Sequence, residues 1–223
     1  MTETDNRRPL KSRSAPWAGA LAARLAAAGA QPDAISALSV AFAALGAALL
    51  LWTGALEGGW RAAAFVLAAV CVQLRLLCNL LDGMVAVEHG RGSPDGPIWN
   101  ELPDRAADVL LLVGAGYGAA ASGLDAGRAL GWLAAVLAVT TAYVRELGRG
   151  LGLPADFAGP LAKPQRMAVL TATCLVAAVE PLWGWRGECV LIGLGMIALG
   201  TALTVARRTR RLSARLRERA AGG

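Results

Sequence analysis

The sequence is short of the side chains that build most metal cages and disulfide frameworks: it has one histidine and four cysteines in 223 residues. Cys71, Cys78, Cys174 and Cys189 lie in or at the edges of apolar stretches and lack metal-ligand spacing, which leaves them as small packing residues. His89 sits beside Gly90 and Gly92, where a solvated loop side chain is expected. Alternating apolar and polar runs are missing, which argues against an outer-membrane barrel. The first thirty residues hold no uncharged apolar stretch followed by a cleavage site, so a secretory signal peptide is not expected. No inverted repeat and no span broken at its midplane by Gly or Pro is visible, which argues against a transporter.

What the chain has is apolar residues, at 56%, above the roughly 45–50% of soluble domains. Its charges gather between long apolar runs. This predicts an all-α, polytopic membrane protein. The net charge of +6 then reflects cytoplasmic loops and anionic lipid, with no nucleic-acid partner. A span needs about 20 mostly apolar residues. Six transmembrane helices are expected, over 35–53, 61–82, 105–122, 129–147, 167–183 and 188–206. Ahead of them, 15–30 carries Trp17, Leu21, Arg24 and Leu25 at helical spacing, as in an amphipathic helix lying in the membrane interface. Gln31-Pro32-Asp33 breaks that helix, and Asp33 or Ser36 is positioned to cap the next. The expected organisation is a basic N-terminal segment with the interfacial helix (1–34), the six-span domain (35–206) and a basic tail (207–223). With the N-terminus inside, 19 of the 22 Lys and Arg residues fall on the cytoplasmic side; only Arg61, Arg128 and Arg186 lie outside. This predicts a multi-pass protein of a bacterial inner membrane with both termini cytoplasmic. Gly114 and Gly118 form a small-xxx-small pair suited either to close helix packing or to a dimer face.

Four polar residues stand where the spans should be apolar. Asn79 and Asp82 lie three apart at the end of the second apolar run, and Asp104 and Asp108 lie four apart at the start of the third, so each pair shares a helix face. Ionisable groups inside membrane segments are costly and usually functional. Two such faces together make an oxygen-rich pocket of the kind that binds Mg²⁺ or Mn²⁺. The alternative is that the carboxylates merely pair with Arg75 and Arg105 at the membrane edge.

The stretch Asn79-x2-Asp82-Gly83-x2-Ala86-Val87, twelve residues, then Asn100-x3-Asp104-x3-Asp108, resembles the signature of the CDP-alcohol phosphotransferase (CDP-alcohol phosphatidyltransferase) family. The six-span pattern, the interfacial helix and the Pro32-Asp33-Ala34-Ile35-Ser36 helix start also match. The resemblance implies that Asp82 and Asp104 match carboxylates that bind two divalent metals, Mg²⁺ or Mn²⁺. It makes Asp108 the general base toward the acceptor hydroxyl, and Gly83 and Ala86 the small residues that admit the CDP moiety. It also implies a homodimer in which a phosphatidyl group passes from CDP-diacylglycerol to a small polar alcohol, phosphorylated or not, releasing CMP. The residue types suit that chemistry, because phosphoryl transfer is largely positioning and charge neutralisation.

Four departures stand out. Asn79 replaces the first metal-binding aspartate, and its amide oxygen can ligate but supplies no charge. Val87 replaces an arginine near the nucleotide, and Asn100 replaces a glycine. The connection is about four residues longer and holds Glu88, His89, Arg91 and Asp95, in position to form a flap. Glu101 either supplies the missing negative charge to the metal or is simply an acid near a helix N-terminus, with Pro103 in the first turn. Arg145, Lys163 and Arg166, around the fourth–fifth connection, either hold an acceptor phosphate or serve as topology charges. Two rival functions remain: transfer of a phospho-alcohol from a soluble CDP-alcohol to diacylglycerol, and a non-catalytic nucleotide- or lipid-binding relative.

Overall fold

The computed structural model describes residues 15–221, and within them the architecture is all-α, with no strand. The N-terminal basic residues Arg7, Arg8, Lys11 and Arg13 lie outside the described residues.

The first helix, α1 (Pro16–Ala27), starts on a proline, whose fixed φ suits the first turn. Its Ala18, Ala22 and Ala26 repeat every four residues and are buried against Ile35, Cys78, Leu81, Met84 and Val85, while Trp17 is exposed. The expected amphipathic helix is present, and its buried face is the alanine stripe. After Gly29, which takes a left-handed φ of 82°, α2 (Pro32–Trp52) begins on Pro32. Gln31 takes the cap position without a side-chain bond, so neither Asp33 nor Ser36 caps this helix. Ser36 is buried one turn inside instead.

Helices α3 (Gly58–Glu88), α4 (Gly96–Ala121), α5 (Ala126–Gly150), α6 (Lys163–Ala177) and α7 (Glu188–Ala221) follow, with a short 3₁₀ turn at Glu180–Trp183. Six helices therefore stand where six spans are expected, and four of them, α2, α3, α5 and α7, are long and apolar enough to cross a membrane. These apolar helices mark an integral membrane protein. At 15 residues α6 is roughly 22 Å long, shorter than the hydrocarbon core of about 30 Å. Helix α4 carries its charges, Glu101, Asp104, Arg105 and Asp108, in its first half.

Three boundaries differ from expectation. The 31-residue α3 continues past Asp82 to Glu88, because nothing after Gly83 breaks it, so the Asn79–Gly83 segment is mid-helix rather than at an end. With Pro97 in its first turn, α4 starts at Gly96, nine residues before the expected span, which leaves Pro103 inside the helix rather than in its first turn. The basic tail is a continuation of α7 as far as Ala221.

Short connections make neighbours antiparallel, and the packing closes into a ring: α2 against α3 and α4, α4 against α5, α5 against α7, α7 against α6, and α6 against α3. Small residues allow this. A Cβ on Gly118 would fall 2.0 Å from the Leu50 carbonyl oxygen, and one on Gly114 2.8 Å from that of Ala47. The Gly114/Gly118 pair therefore seats α4 on α2 within the chain, which is the close-packing alternative of the two the sequence offers for it. The core holds Phe65, Leu111, Leu112, Met167, Leu170 and Leu194. All four cysteines are buried thiols. At one end of the ring Arg61 and the fully buried Glu180 pair at 2.8 Å, and Glu180 also accepts from the amides of Gly187 and Cys189. Trp52, Trp60, Trp183 and Trp185 are exposed near that end, as in an interfacial aromatic belt. The chemistry-bearing residues lie at the opposite end.

Candidate functional site

That opposite end holds a cavity of about 930 Å³, walled by α2, α3, α4, α5, α6 and the Arg208 turn of α7. Asn79, Asp82, Gly83, Ala86, Glu101, Asp104, Arg145, Lys163 and Arg166 all line it. The sequence separates these residues by as much as 87 positions, and the helix ring brings them to one place.

Asp82 is buried on α3. Its Oδ2 accepts from the Ser36 hydroxyl at 2.6 Å, and its Oδ1 accepts from the Gly83 amide at 2.6 Å. Asp104 Oδ1 accepts from Asn79 Nδ2 at 2.5 Å. The Lys163 ammonium donates to both Asn79 Oδ1 and Asp104 Oδ2, and Arg105 Nη2 lies 3.3 Å from the latter. Asn79 is thus oriented by its neighbours: nitrogen toward the carboxylate, oxygen toward the cation.

Asp108 differs from the other two aspartates. It is 2% exposed and does not line the cavity. Its Oδ1 accepts from Arg75 Nη2 at 2.7 Å, and its Oδ2 from Arg166 Nη2 at 2.8 Å. Arg75 Nη2 also reaches Asp104 Oδ1 at 3.3 Å and the Asp104 carbonyl at 3.1 Å. A general base needs an oxygen within reach of the acceptor hydroxyl. Here both oxygens are engaged beneath the cavity floor, which is the physical reason the expected base role does not follow from this geometry.

Glu101 falls inside α4, on the Asp104/Asp108 face. Its Oε2 accepts from Arg105 Nη1 at 2.7 Å and Arg145 Nη2 at 2.5 Å, so its charge is directed to guanidiniums. Arg145 also bonds Glu146 at 2.8 Å and stacks its guanidinium 5.5 Å from the Phe157 ring centre. Arg166 Nη1 donates to the Leu161 carbonyl at 3.2 Å. Of the long α3–α4 insert, only 89–95 is loop. Gly90, Gly92 and Ser93 line the cavity, and His89 is exposed and does not. At the N-terminus of α4, hydrogen bonding from Ser93, from its own backbone and from Trp99 holds the exposed Asp95 carboxyl below the usual carboxylate range.

Arg75, Ser36, Arg149 and Arg208 complete the site; pairing of the carboxylates with Arg75 and Arg105 is the alternative the sequence offers, and both pairs are present, whereas Ser36, Arg149 and Arg208 have no expected role there. Arg75 had a usable signal: a charge inside an apolar run, one turn before Asn79 on the same face. Ser36 and Arg208 had none, because their partners come from α3, α5 and the 151–162 loop.

Among the described residues, no three His, Cys, Asp or Glu side chains converge closely enough to hold a metal ion by themselves. A divalent ion at this site would therefore need a neutral donor as well. Asn79 Oδ1 and Asp104 Oδ2 already hold a cation between them, the Lys163 ammonium, with Asp82 on the same wall. That donor set fits one hard cation once the flexible lysine withdraws.

No family model matches the chain. Curated relatives do. A bifunctional IPC transferase and DIPP synthase of Rubrobacter xylanophilus is 34% identical over 153 residues, covering 66% of this chain and 31% of that protein. A phosphatidylinositol phosphate synthase of Mycobacteroides abscessus is 28% identical over 199 residues, covering 84% and 80%. One of Mycolicibacterium smegmatis is 29% identical over 147 residues, covering 64% and 60%. The chain thus spans about a third of the first relative's length. Among solved structures, the phosphatidylinositol phosphate synthase of Mycobacterium tuberculosis with CDP-DAG bound superposes with a TM-score of 0.73 at 22% identity, covering 89% of this chain and 94% of that one. Its manganese and citrate complex gives 0.71 at 21%, covering 87% and 88%. With the Asp82-Gly83 and Asp104-x3-Asp108 segments facing one another, the chain shares its fold with the solved synthase and is similar in sequence to the phosphatidylinositol phosphate synthases, which supports the resemblance to the CDP-alcohol phosphatidyltransferase family.

Proposed function

We propose that the protein is a membrane transferase of phospholipid biosynthesis that moves a phosphatidyl group from CDP-diacylglycerol to a small polar alcohol and releases CMP. The observation that carries this reading is one cavity lined both by the oxygen donors Asn79, Asp82 and Asp104 and by a basic wall of Arg145, Arg149, Lys163 and Arg166, with Lys163 joining the two sets. The relatives named phosphatidylinositol phosphate synthase, and the neighbour solved separately with CDP-DAG and with manganese, support it.

In this reading Asn79 Oδ1, Asp82 and Asp104 would hold Mg²⁺ or Mn²⁺, which would supply positive charge to the pyrophosphate. Gly83 and Ala86 leave the α3 wall free of bulk, so the cytidine diphosphate lies against the helix. The Ser36 hydroxyl fixes the Asp82 carboxylate. Arg145, Lys163 and Arg166 bind an anionic group on the acceptor, which favours a phosphorylated alcohol, since guanidiniums match phosphate oxygens in pairs. Glu101 holds Arg145 in place and Asp108 holds Arg166, each through the ion pair described above. The acceptor oxygen forms a bond to the phosphorus bearing diacylglycerol, the bond from that phosphorus to the CMP oxygen breaks, and the hydroxyl proton passes to water in the open cavity. The basic wall disfavours the reverse arrangement, in which diacylglycerol would be the acceptor.

The same reading puts both termini and the cavity on the cytoplasmic side of a bacterial inner membrane, supported by the Lys and Arg distribution, with the chain acting as a homodimer. The test is CMP release by the purified protein in lipid, with CDP-diacylglycerol, Mn²⁺ and a panel of alcohols and alcohol phosphates. Release that requires an acceptor phosphate is expected. Nucleotide binding without release, for CDP-diacylglycerol and CDP-alcohols alike, overturns it.

A further inference from the structure

We infer that Arg75 stands in for one of the two divalent ions implied by the family signature, so that the site binds a single divalent ion per chain. The inference rests on the functional reading above. Arg75 is 0% exposed on α3, one turn before Asn79. Through one nitrogen it joins Asp108 Oδ1 at 2.7 Å and Asp104 Oδ1 at 3.3 Å, so a single fixed cation bridges two carboxylates of α4. Those carboxylates are its only charged partners among the ion pairs of the described residues, and its Nε and Nη1 make no hydrogen bond there. A snorkelling or topology-setting arginine reaches water; this one is aimed inward.

The amide at position 79 fits the same substitution. Asn79 Nδ2 donates to Asp104 Oδ1 at 2.5 Å. An aspartate in that place would set two carboxylates face to face, an arrangement that needs a cation between them. The amide removes the need by hydrogen bonding. The ion pairs agree: Asp104 is already met by Arg75, Arg105 and Lys163, and Asp108 by Arg75 and Arg166, while Asp82 is held by Ser36 and the Gly83 amide. One divalent ion replaces the Lys163 ammonium on Asn79 and Asp104. A second finds Asp108 closed off by two guanidiniums at 2.7 and 2.8 Å. The two-metal expectation drawn from the family signature does not fit these residues. Arg75 is a positioning residue, acting on the site through Asp104 and Asp108.

The experiment counts bound Mn²⁺ by electron paramagnetic resonance during titration of the purified protein in lipid nanodiscs. One ion per chain, with the six-line spectrum of an isolated Mn²⁺, is expected. Two ions with an exchange-coupled spectrum, or no bound ion, overturns the inference. The double variant Arg75→Leu with Asn79→Asp is expected to gain a second, coupled ion. A folded double variant that still binds one removes the assignment to Arg75; if it does not fold, the wild-type count decides. CMP release is scored separately. One bound ion without CMP release keeps the metal count and ends the transferase reading, whereas two ions with CMP release does the opposite.

Discussion

Asp108→Asn separates two roles for the most buried carboxylate of the site. The substitution keeps volume and shape but removes the charge that Arg75 and Arg166 share. Their side chains are 0% and 3% exposed, so water cannot replace the lost partner. One amide oxygen can satisfy one guanidinium, and the amide nitrogen then points at the other, donor against donor. Breaking a buried pair by removing one partner costs roughly 3–5 kcal/mol, because an uncompensated charge stays inside. The lower part of that range is expected here. Arg75 retains the Asp104 carbonyl and Oδ1, and Arg166 retains Thr141 and the Leu161 carbonyl. For a chain of this size about 2–4 °C of Tm accompanies each kcal/mol, so a fall of about 6–15 °C is expected. The assay is thermal unfolding followed by intrinsic fluorescence in lipid nanodiscs, beside CMP release on the same preparation. A fall below about 2 °C together with complete loss of CMP release would refute the ion-pair reasoning and restore Asp108 as the proton acceptor.

Three further outcomes are expected. Lys163→Met removes the ammonium that competes for Asn79 Oδ1 and Asp104 Oδ2. At about 1.5–3 kcal/mol for a charged hydrogen bond, Mn²⁺ should bind roughly 10- to 100-fold tighter while the acceptor KM rises; equal or weaker Mn²⁺ binding in a titration rejects the competition. Glu101→Gln removes the carboxylate that Arg145 and Arg105 share, leaving Arg145 with Glu146 and Arg105 with Asp104. It should raise the acceptor KM by roughly 3- to 10-fold, for about 1 kcal/mol, with the Mn²⁺ dependence unchanged, whereas a shifted Mn²⁺ midpoint would make Glu101 a metal donor. Gly118→Ala puts a methyl 2.0 Å from the Leu50 carbonyl oxygen and should cost about 1–3 kcal/mol in thermal unfolding, whereas Gly195→Ala, with nothing within 4 Å, should be close to neutral.

The helices were legible because their information is local. Apolar runs near the length of a bilayer, prolines at helix starts and charges at one end of each run are properties of single segments, and they put six helices in the right places. Boundaries were less legible. Gly83 lacks the company of a proline or a polar turn, so α3 ran on through it, and Pro97 rather than Pro103 opened α4. The signature at Asn79, Asp82, Asp104 and Asp108 could be read because its spacing is fixed by the helical turn.

How those side chains divide the work could not be read, because it depends on which partners arrive from other helices. Asp82 and Asp108 look alike in sequence, yet one faces the cavity with a serine from α2, and the other lies beneath it between arginines from α3 and α6. Glu101 could have turned to a metal, but Arg145 of α5 lay within reach first. The sequence by itself determined an all-α membrane chain with an oxygen-rich signature, since hydropathy and helical spacing are carried by neighbouring residues. Only the tertiary structure decided which carboxylate meets which cation, because a charge buried away from water takes the partner that packing sets beside it.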